Sequence, residues 1–547
     1  MKYINSFSEM SINIFSFEKL IANFKRPMNF LNKLFLLLTL LLRYGISFSQ
    51  TEPNLVVAIV VDQMKYEYVD RFWNDYSSNG FKKLVNNGVF CRNTHYNFIP
   101  TYTGPGHASI FTGTTPSVHG IIGNNWYNRA DFSPVYCAGD WKSRTICLCK
   151  KPHEKSNPGN GKMSPNLLLC NTVGDQLKLK DSLSKVFGIS IKDRGAILST
   201  GFLADGAYWL NNNSQWITSS FYKNSIPKWV AQFHSEFPIS SYMDKWNGEK
   251  FNYDLKKELK ENGASSIKST PRGNDYTLDF SKQLIINEKL GLDQHSDLLV
   301  ISFSSTDYVG HKYGPDAEEV KSIYLKLDQN IAELISFLNK NIGENNYLIS
   351  LTSDHGAGTS PIDIERKRLK GGNFISREIF PDLNDHLELV FGIPSVLSRY
   401  ANMQFYINTP KIDSLKISNN EVFLEAKKWL KEQPSVDEVY SLNSIPKMIQ
   451  SQKLERLKKG IYPSRSGDIF VTLKPGYIEW SSKTGTTHGT HFNYDSHVPL
   501  IFYGFNIKPQ QIYRNIKITD IAPTLSIFLK SAFPNACTGD PIGELFN

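Results

Sequence analysis

Six side chains of this sequence could bind metal, and each sits just past or just before an apolar run. Asp62 closes LVVAIVV, Asp307 and His311 follow DLLVISFSST, and the pair Asp354-His355 closes NYLISLTS. His488 stands in TGTTHGTH, shortly before HVPLIFYG. Three carboxylates and three imidazoles arriving from four segments make a mixed oxygen and nitrogen ligand set, the composition that suits zinc. Any one of them alone reads equally well as a capping aspartate or a satisfied histidine. Six at the ends of strand-like runs fit that bland reading poorly.

A nucleophile and an anion clamp accompany them. In IPTYTGPGHASIFTG, the turn Gly104-Pro105-Gly106 leads into a helix start, so Thr103 falls at a loop-to-helix junction. Free backbone N–H groups and the helix dipole favour an anion there. A hydroxyl bound to metal at that point could attack phosphorus; in isolation a threonine at this place would be read as an N-cap. Downstream, SKVFGISIKDRGAIL predicts a strand ending in Lys192-Asp193-Arg194. Alternation along an extended backbone would put Lys192 and Arg194 on one face. Arginine holds phosphoryl oxygens with a fork and lysine as a point charge.

Groups so far apart in sequence need a scaffold that gathers strand ends. Strand-like runs alternate with helical patterns, which predicts βαβ units in a three-layer α/β/α sandwich around a largely parallel sheet. In such open sheets ligands bind outside the carboxyl ends of the strands. The clearest helix lies in DAEEVKSIYLKLDQNIAELISFLNKN, where Val320, Ile323, Leu327, Ile331, Leu334 and Leu338 recur at helical spacing. Another is predicted in ITDIAPTLSIFL, with Thr519 or Asp520 as its cap. Residues 125–170, rich in Trp, Cys, Asn, Pro and Gly, read as a long loop region over the site. Between His355 and His488 lies enough chain for a helix (EVFLEAKKWLKE) and short strands (ANMQFYI, DIFVTLK), read as an inserted cap subdomain over 365–485 of a main domain over 51–547.

The chain has 547 residues, 40% hydrophobic and 21% charged, an ordinary globular balance. Its N-terminus reads as a leader over 1–50: Lys33 precedes the apolar run 34–42, and GISFSQ supplies a cleavage zone. That run is far short of the roughly 20 residues needed to span a bilayer. Met28 is an alternative start. Much of the net charge of +9 belongs to the leader, and the mildly basic remainder gives no reason to expect nucleic-acid binding. Export to the periplasm or medium is expected, with no transmembrane anchor after leader removal. Six cysteines in an exported chain allow one to three structural disulfides, and Cys147-Leu-Cys149 is too tightly spaced for a zinc knuckle.

Taken together, VVDQM, PTYTGPGHASIFTG, HGIIGNNW, ISIKDRG, SSTDYVGHKYGP, TSDHGAG, HGT and TDIAPTL resemble the alkaline phosphatase superfamily. Within it, the sequence is most similar to the flavobacterial-type alkaline phosphatases that use a threonine nucleophile. The resemblance runs through most of 53–545. It implies two zinc ions, one held by Asp307, His311 and His488, the other by Asp62, Asp354 and His355 with Thr103 completing it as nucleophile. His491 and His497 compete with His488 for its role. Asn124, in GIIGNNW, matches an asparagine that contacts a phosphoryl oxygen, and Lys192 with Arg194 match the basic pair of the monoesterases. The implied reaction is hydrolysis of small phosphate monoesters by a monomer through a phospho-threonine. The alternative is a nucleotide pyrophosphatase/phosphodiesterase on the same scaffold, against which the two cations argue. A sulfatase would need Cys or Ser in a C/S-x-P-x-R setting, where this sequence has Thr103-Gly-Pro-Gly-His.

Overall fold

The computed structural model describes residues 52–148, 161–445, 448 and 451–546. The leader expected over 1–50 lies outside the described residues. Five strands carry the architecture: β1 (Leu55–Val61), β2 (Val186–Ser190), β3 (Asp297–Phe303), β4 (Tyr347–Thr352) and β5 (His497–Gly504). They are the centre of an 11-stranded sheet. β1 lies between β3 and β4 and is parallel to both, and β2 continues the parallel array beyond β3. On the other side β5 runs antiparallel to β4, and Val89–His95 antiparallel to β5.

Every residue of β1 is buried, because both faces of the sheet are covered. Successive side chains of a strand point to opposite faces, and β1 divides accordingly. Leu55, Val57, Ile59 and Val61 pack in one apolar cluster, Val56, Ala58 and Val60 in another. A continuous apolar run is the mark of such a strand. Four helices frame the strand ends: α1 (Thr103–Thr112), α2 (Asp193–Thr200), α3 (Ser305–Tyr313) and α4 (Glu318–Asn341). The stripe Val320, Ile323, Leu327, Ile331, Leu334 and Leu338 of α4 joins the first cluster, while Ile110 and Phe111 of α1 join the second. Helices therefore cover both faces, as the alternating pattern predicts.

Two local expectations are corrected. Lys192-Asp193-Arg194 is not a strand end: β2 stops at Ser190, Lys192 is the N-cap of α2, and Arg194 lies in its first turn. Period-two alternation therefore does not relate the two cations. Likewise β3 stops at Phe303 and Asp307 lies on α3, four residues before His311, so helical spacing puts both on one face.

Within the span 365–485, a separate four-stranded sheet forms from Leu397–Ala401, Gln404–Ile407, Ile469–Leu473 and Val436–Ser441, in that order. It has its own buried cluster, in which Leu397, Phe405, Val439 and Val471 pack with Val422, Ala426 and Leu430 of the helix Asn419–Glu432. Cys147 is disulfide-bonded, whereas Cys91, Cys137, Cys170 and Cys537 are free.

Candidate active site

The loops after β1 and β4 and the start of α3 after β3 converge at the carboxyl ends of neighbouring strands, which brings Asp62, Asp307, Asp354 and His355 together. Asp307, His311 and His488 form one compact group of potential ligand atoms, and Asp62, Asp307 and His355 another, all within 4.8 Å in each group. His355 Nε2 lies 3.6 Å from both Asp62 Oδ1 and Asp354 Oδ2. The three imidazoles are oriented alike. Nδ1 of His311 is 2.7 Å from the Thr486 carbonyl, that of His488 is 2.8 Å from the Thr101 carbonyl, and that of His355 is 3.0 Å from the Gly356 carbonyl. A carbonyl only accepts, so each Nδ1 carries a proton; the Nε2 atoms of His355 and His488 present lone pairs to the cluster, while that of His311 lies 3.1 Å from Asp307 Oδ1. This is how metal-binding histidines are oriented by their outer partners. Of the competing histidines, His497 Nε2 is turned to the Arg92 carbonyl and its ring stacks between Tyr66 and His95, and His491 packs on Phe492.

Thr103 is the first residue of α1, with Tyr102 rather than Thr103 as the N-cap. The Tyr102 side chain makes no capping bond, and Thr103 Oγ1 lies 3.5 Å from Lys192 Nζ. Lys192 Nζ is 2.7 Å from Asp62 Oδ2 and also bridges to Asp307 Oδ2. Gly106 allows this packing, since a Cβ there would stand 2.4 Å from the Asp354 carbonyl oxygen. Asn124 Oδ1 accepts the Gly104 N–H at 2.8 Å, which leaves its Nδ2 as the free donor. Arg194 Nη1 is 3.2 Å from the Tyr136 hydroxyl, and that hydroxyl donates to Asp193.

Burial is the leading electrostatic influence. It pushes Asp62 up to about 6, with the Asp307 charge adding to the effect, and raises Asp354 well above the usual range, with Asp62 adding. For Asp307 burial acts in the same direction, but His311 and Lys192 outweigh it and hold the carboxyl well below its ordinary value. Burial keeps His355 well below its ordinary value and lowers His488 to about 3, so both are neutral and able to ligate. Lys192 is opposed by burial, yet Asp307 and Asp62 raise it, so it remains a cation.

Several buried polar atoms have no hydrogen-bond partner here, among them Asp62 Oδ1, Asp354 Oδ2 and His355 Nε2. Buried carboxylates and imidazoles left in this way are costly unless a cation completes them. The donor set, the oriented imidazoles and the unpaired atoms together fit zinc or a similar divalent metal.

Two residues that sequence reasoning does not single out belong to the same cluster. Gln63, at φ 63°, donates from Nε2 to Asp307 Oδ1 at 2.7 Å and from its backbone N–H to Asp354 Oδ1 at 3.1 Å. His107 is fully buried, with Nδ1 2.9 Å from the Thr103 carbonyl and Nε2 3.0 Å from Ser302 Oγ. The only sequence signal for either is adjacency: Gln63 follows Asp62, and His107 lies one helical turn after Thr103.

Residues 56–492 match the family model described as type I phosphodiesterase / nucleotide pyrophosphatase. The chain is 39% identical to a Myroides odoratus protein named calcium-transporting ATPase, over 90% of this chain and 94% of that protein. It is 36% identical to alkaline phosphatase PafA of Elizabethkingia meningoseptica, again over 90% of this chain and 94% of the relative. The crystal structure of wild-type alkaline phosphatase PafA superposes with a TM-score of 0.83 at 34% identity, covering 91% of this chain and 99% of the other. Sequence and fold therefore agree, and the chain belongs to the type I phosphodiesterase / nucleotide pyrophosphatase family.

Proposed function

We propose that this protein is an exported, zinc-dependent phosphomonoesterase that works through a phospho-threonine on Thr103. The observation that carries the reading is the hydroxyl of Thr103 at the start of α1, 3.5 Å from the Lys192 ammonium and beside two groups of ligating atoms. Relatives named alkaline phosphatase support it. One zinc would be held by Asp307, His311 and His488, the other by Asp62, Asp354 and His355 with Thr103. When bound, the two ions supply Lewis-acid polarisation of hydroxyl and phosphoryl oxygens.

The chain's own groups do the rest. The Thr103 hydroxyl gives its proton to solvent, and Oγ1 forms a bond to phosphorus as the in-line bond to the leaving oxygen breaks. That oxygen takes a proton from water, and a second water later cleaves the phospho-threonine, releasing phosphate and restoring the hydroxyl. Lys192 stays protonated, so it acts as a fixed charge rather than as the base. Asn124 Nδ2, held in orientation by the Gly104 N–H, donates to one non-bridging oxygen. Arg194 offers its guanidinium to the others. Phosphoryl transfer leaves little covalent work to a protein, so positioning and charge neutralisation carry much of the rate. Residues 365–485 form a cap subdomain on the main α/β domain. None of the helices among the described residues is long and apolar enough to cross a membrane, and the transport named for the Myroides relative is not part of this proposal.

The test is kcat/KM of the zinc-loaded protein on a phosphate monoester and a diester with the same leaving group. A preference for the monoester is expected. A preference for the diester would instead make the protein a phosphodiesterase.

A further inference from the structure

The geometry points to a task for the four-stranded sheet of residues 397–473: it holds Asn124 in place, with Asn402 as the positioning residue. The inference rests on the proposed role of Asn124 toward the phosphoryl group.

Asn402 and Met403 form the two-residue turn between Leu397–Ala401 and Gln404–Ile407, where Ala401 pairs with Gln404. Both turn residues have positive φ, 55° and 62°. A two-residue hairpin turn of this kind requires that, and Asn tolerates it well, whereas Met does not. Such a conformation persists where its surroundings over-determine it. Here the Met403 side chain is buried in the small sheet's core, and the Tyr400 hydroxyl lies 3.4 Å from its sulfur. The turn is therefore a fixed projection from the sheet.

That projection meets the chain on both sides of Asn124. Asn402 Nδ2 donates to the Asn125 carbonyl at 2.6 Å. On the other side a Cβ at Gly123 would come 2.4 Å from the same Nδ2, so the amide lies flat against the Gly123 backbone. Two more links from the same region tie down the flanks. Arg465 Nη1 donates to the Gly120 carbonyl at 2.6 Å, and Arg129 forms a two-pronged ion pair with Asp468 at 2.8 and 3.0 Å. The Asn124 side chain is in turn fixed to α1 by the Gly104 N–H. A donor held at both its backbone and its side chain loses little freedom when it meets its acceptor, and small displacements of such groups are expensive in rate.

The experiment is a double-mutant cycle on zinc-loaded protein, reading kcat/KM for a phosphate monoester. Asn402→Gly removes the amide yet keeps the turn, since glycine adopts positive φ without strain. It should lower kcat/KM by about 10- to 100-fold, the range for displacing a positioned group, with an unchanged melting temperature. In an Asn124→Ala background the same substitution should have no further effect. Gly123→Ala should also lower kcat/KM, by colliding with Asn402. Combining it with Asn402→Gly should be no worse than Asn402→Gly alone, because the collision is gone. Equal losses from Asn402→Gly in both backgrounds, or no loss in the otherwise native protein, would overturn the positioning role while leaving Asn124 in its own. If Asn124→Ala itself cost nothing, the role of Asn124 and the inference would fall together.

Discussion

Gln63 Nε2 donates to Asp307 Oδ1 at 2.7 Å, while the Gln63 backbone N–H holds Asp354 at 3.1 Å, so one residue orients two carboxylates that follow different strands. Partners of this sort typically tune metal affinity by 10- to 100-fold. Gln63→Leu is therefore expected to weaken zinc binding by about that factor, measured by competition with a chromophoric chelator. Unchanged affinity would mean that Asp307 is held adequately by Lys192 and His311 alone.

Metal removal should also be visible without any assay of activity. Asp62, Asp307 and Asp354 are buried together, with Lys192 bridging the first two. Asp62 Oδ1, Asp354 Oδ2 and His355 Nε2 meanwhile lack hydrogen-bond partners. A ligand that binds only the folded state stabilises it by about 4 kcal/mol when present at 1,000 times its Kd. Chelation should accordingly lower the melting temperature by several degrees, and added zinc should restore it. A melting curve indifferent to chelator would argue that the cluster is satisfied without metal.

Thr103→Ala should abolish nearly all phosphomonoesterase activity and leave the fold intact. Tyr102 rather than Thr103 is the N-cap of α1, and the Thr103 hydroxyl faces Lys192 Nζ at 3.5 Å, so its deletion removes chemistry rather than structure. A variant keeping more than about a tenth of native kcat/KM, a barrier change under ~1.4 kcal/mol, would show that another group attacks phosphorus. Circular dichroism and the melting temperature of the variant separate lost chemistry from lost folding.

Much of this site is legible in the sequence because burial on both faces forces an apolar run, and the polar residue that ends the run has to sit at the sheet's edge. Asp62 and Asp354-His355 follow from that rule. Asp307 obeys it although it stands on a helix, because α3 begins almost at once after β3. The rule misleads at Lys192 and Arg194. An apolar strand followed by a polar tripeptide does not reveal that the backbone has already turned into α2 at Asp193. Gln63, His107 and Asn402 are out of reach for a different reason. Their importance lies in contacts such as Gln63 with Asp307 and Asn402 with Asn125, hundreds of residues apart in sequence, and no local pattern records those.

The choice between monoester and diester rests on Lys192 and Arg194. Lys192 is buried against Asp62 and Asp307, while Arg194 reaches the Tyr136 hydroxyl and keeps its Nε free of any hydrogen-bond partner. A monoester arrives as a dianion with three non-bridging oxygens, a diester as a monoanion with two. Charge-assisted contacts are about twice as strong as neutral ones, so removing both cations should harm the monoester more. For the zinc-loaded protein, Lys192→Ala with Arg194→Ala is expected to shrink the monoester preference by orders of magnitude, because two charge-assisted contacts at about 1.5–3 kcal/mol each are lost. The measurement is kcat/KM for both esters on both proteins. Equal losses on the two substrates would make the pair structural, with Lys192 serving only to neutralise its two carboxylates, and would return the diesterase reading to the front.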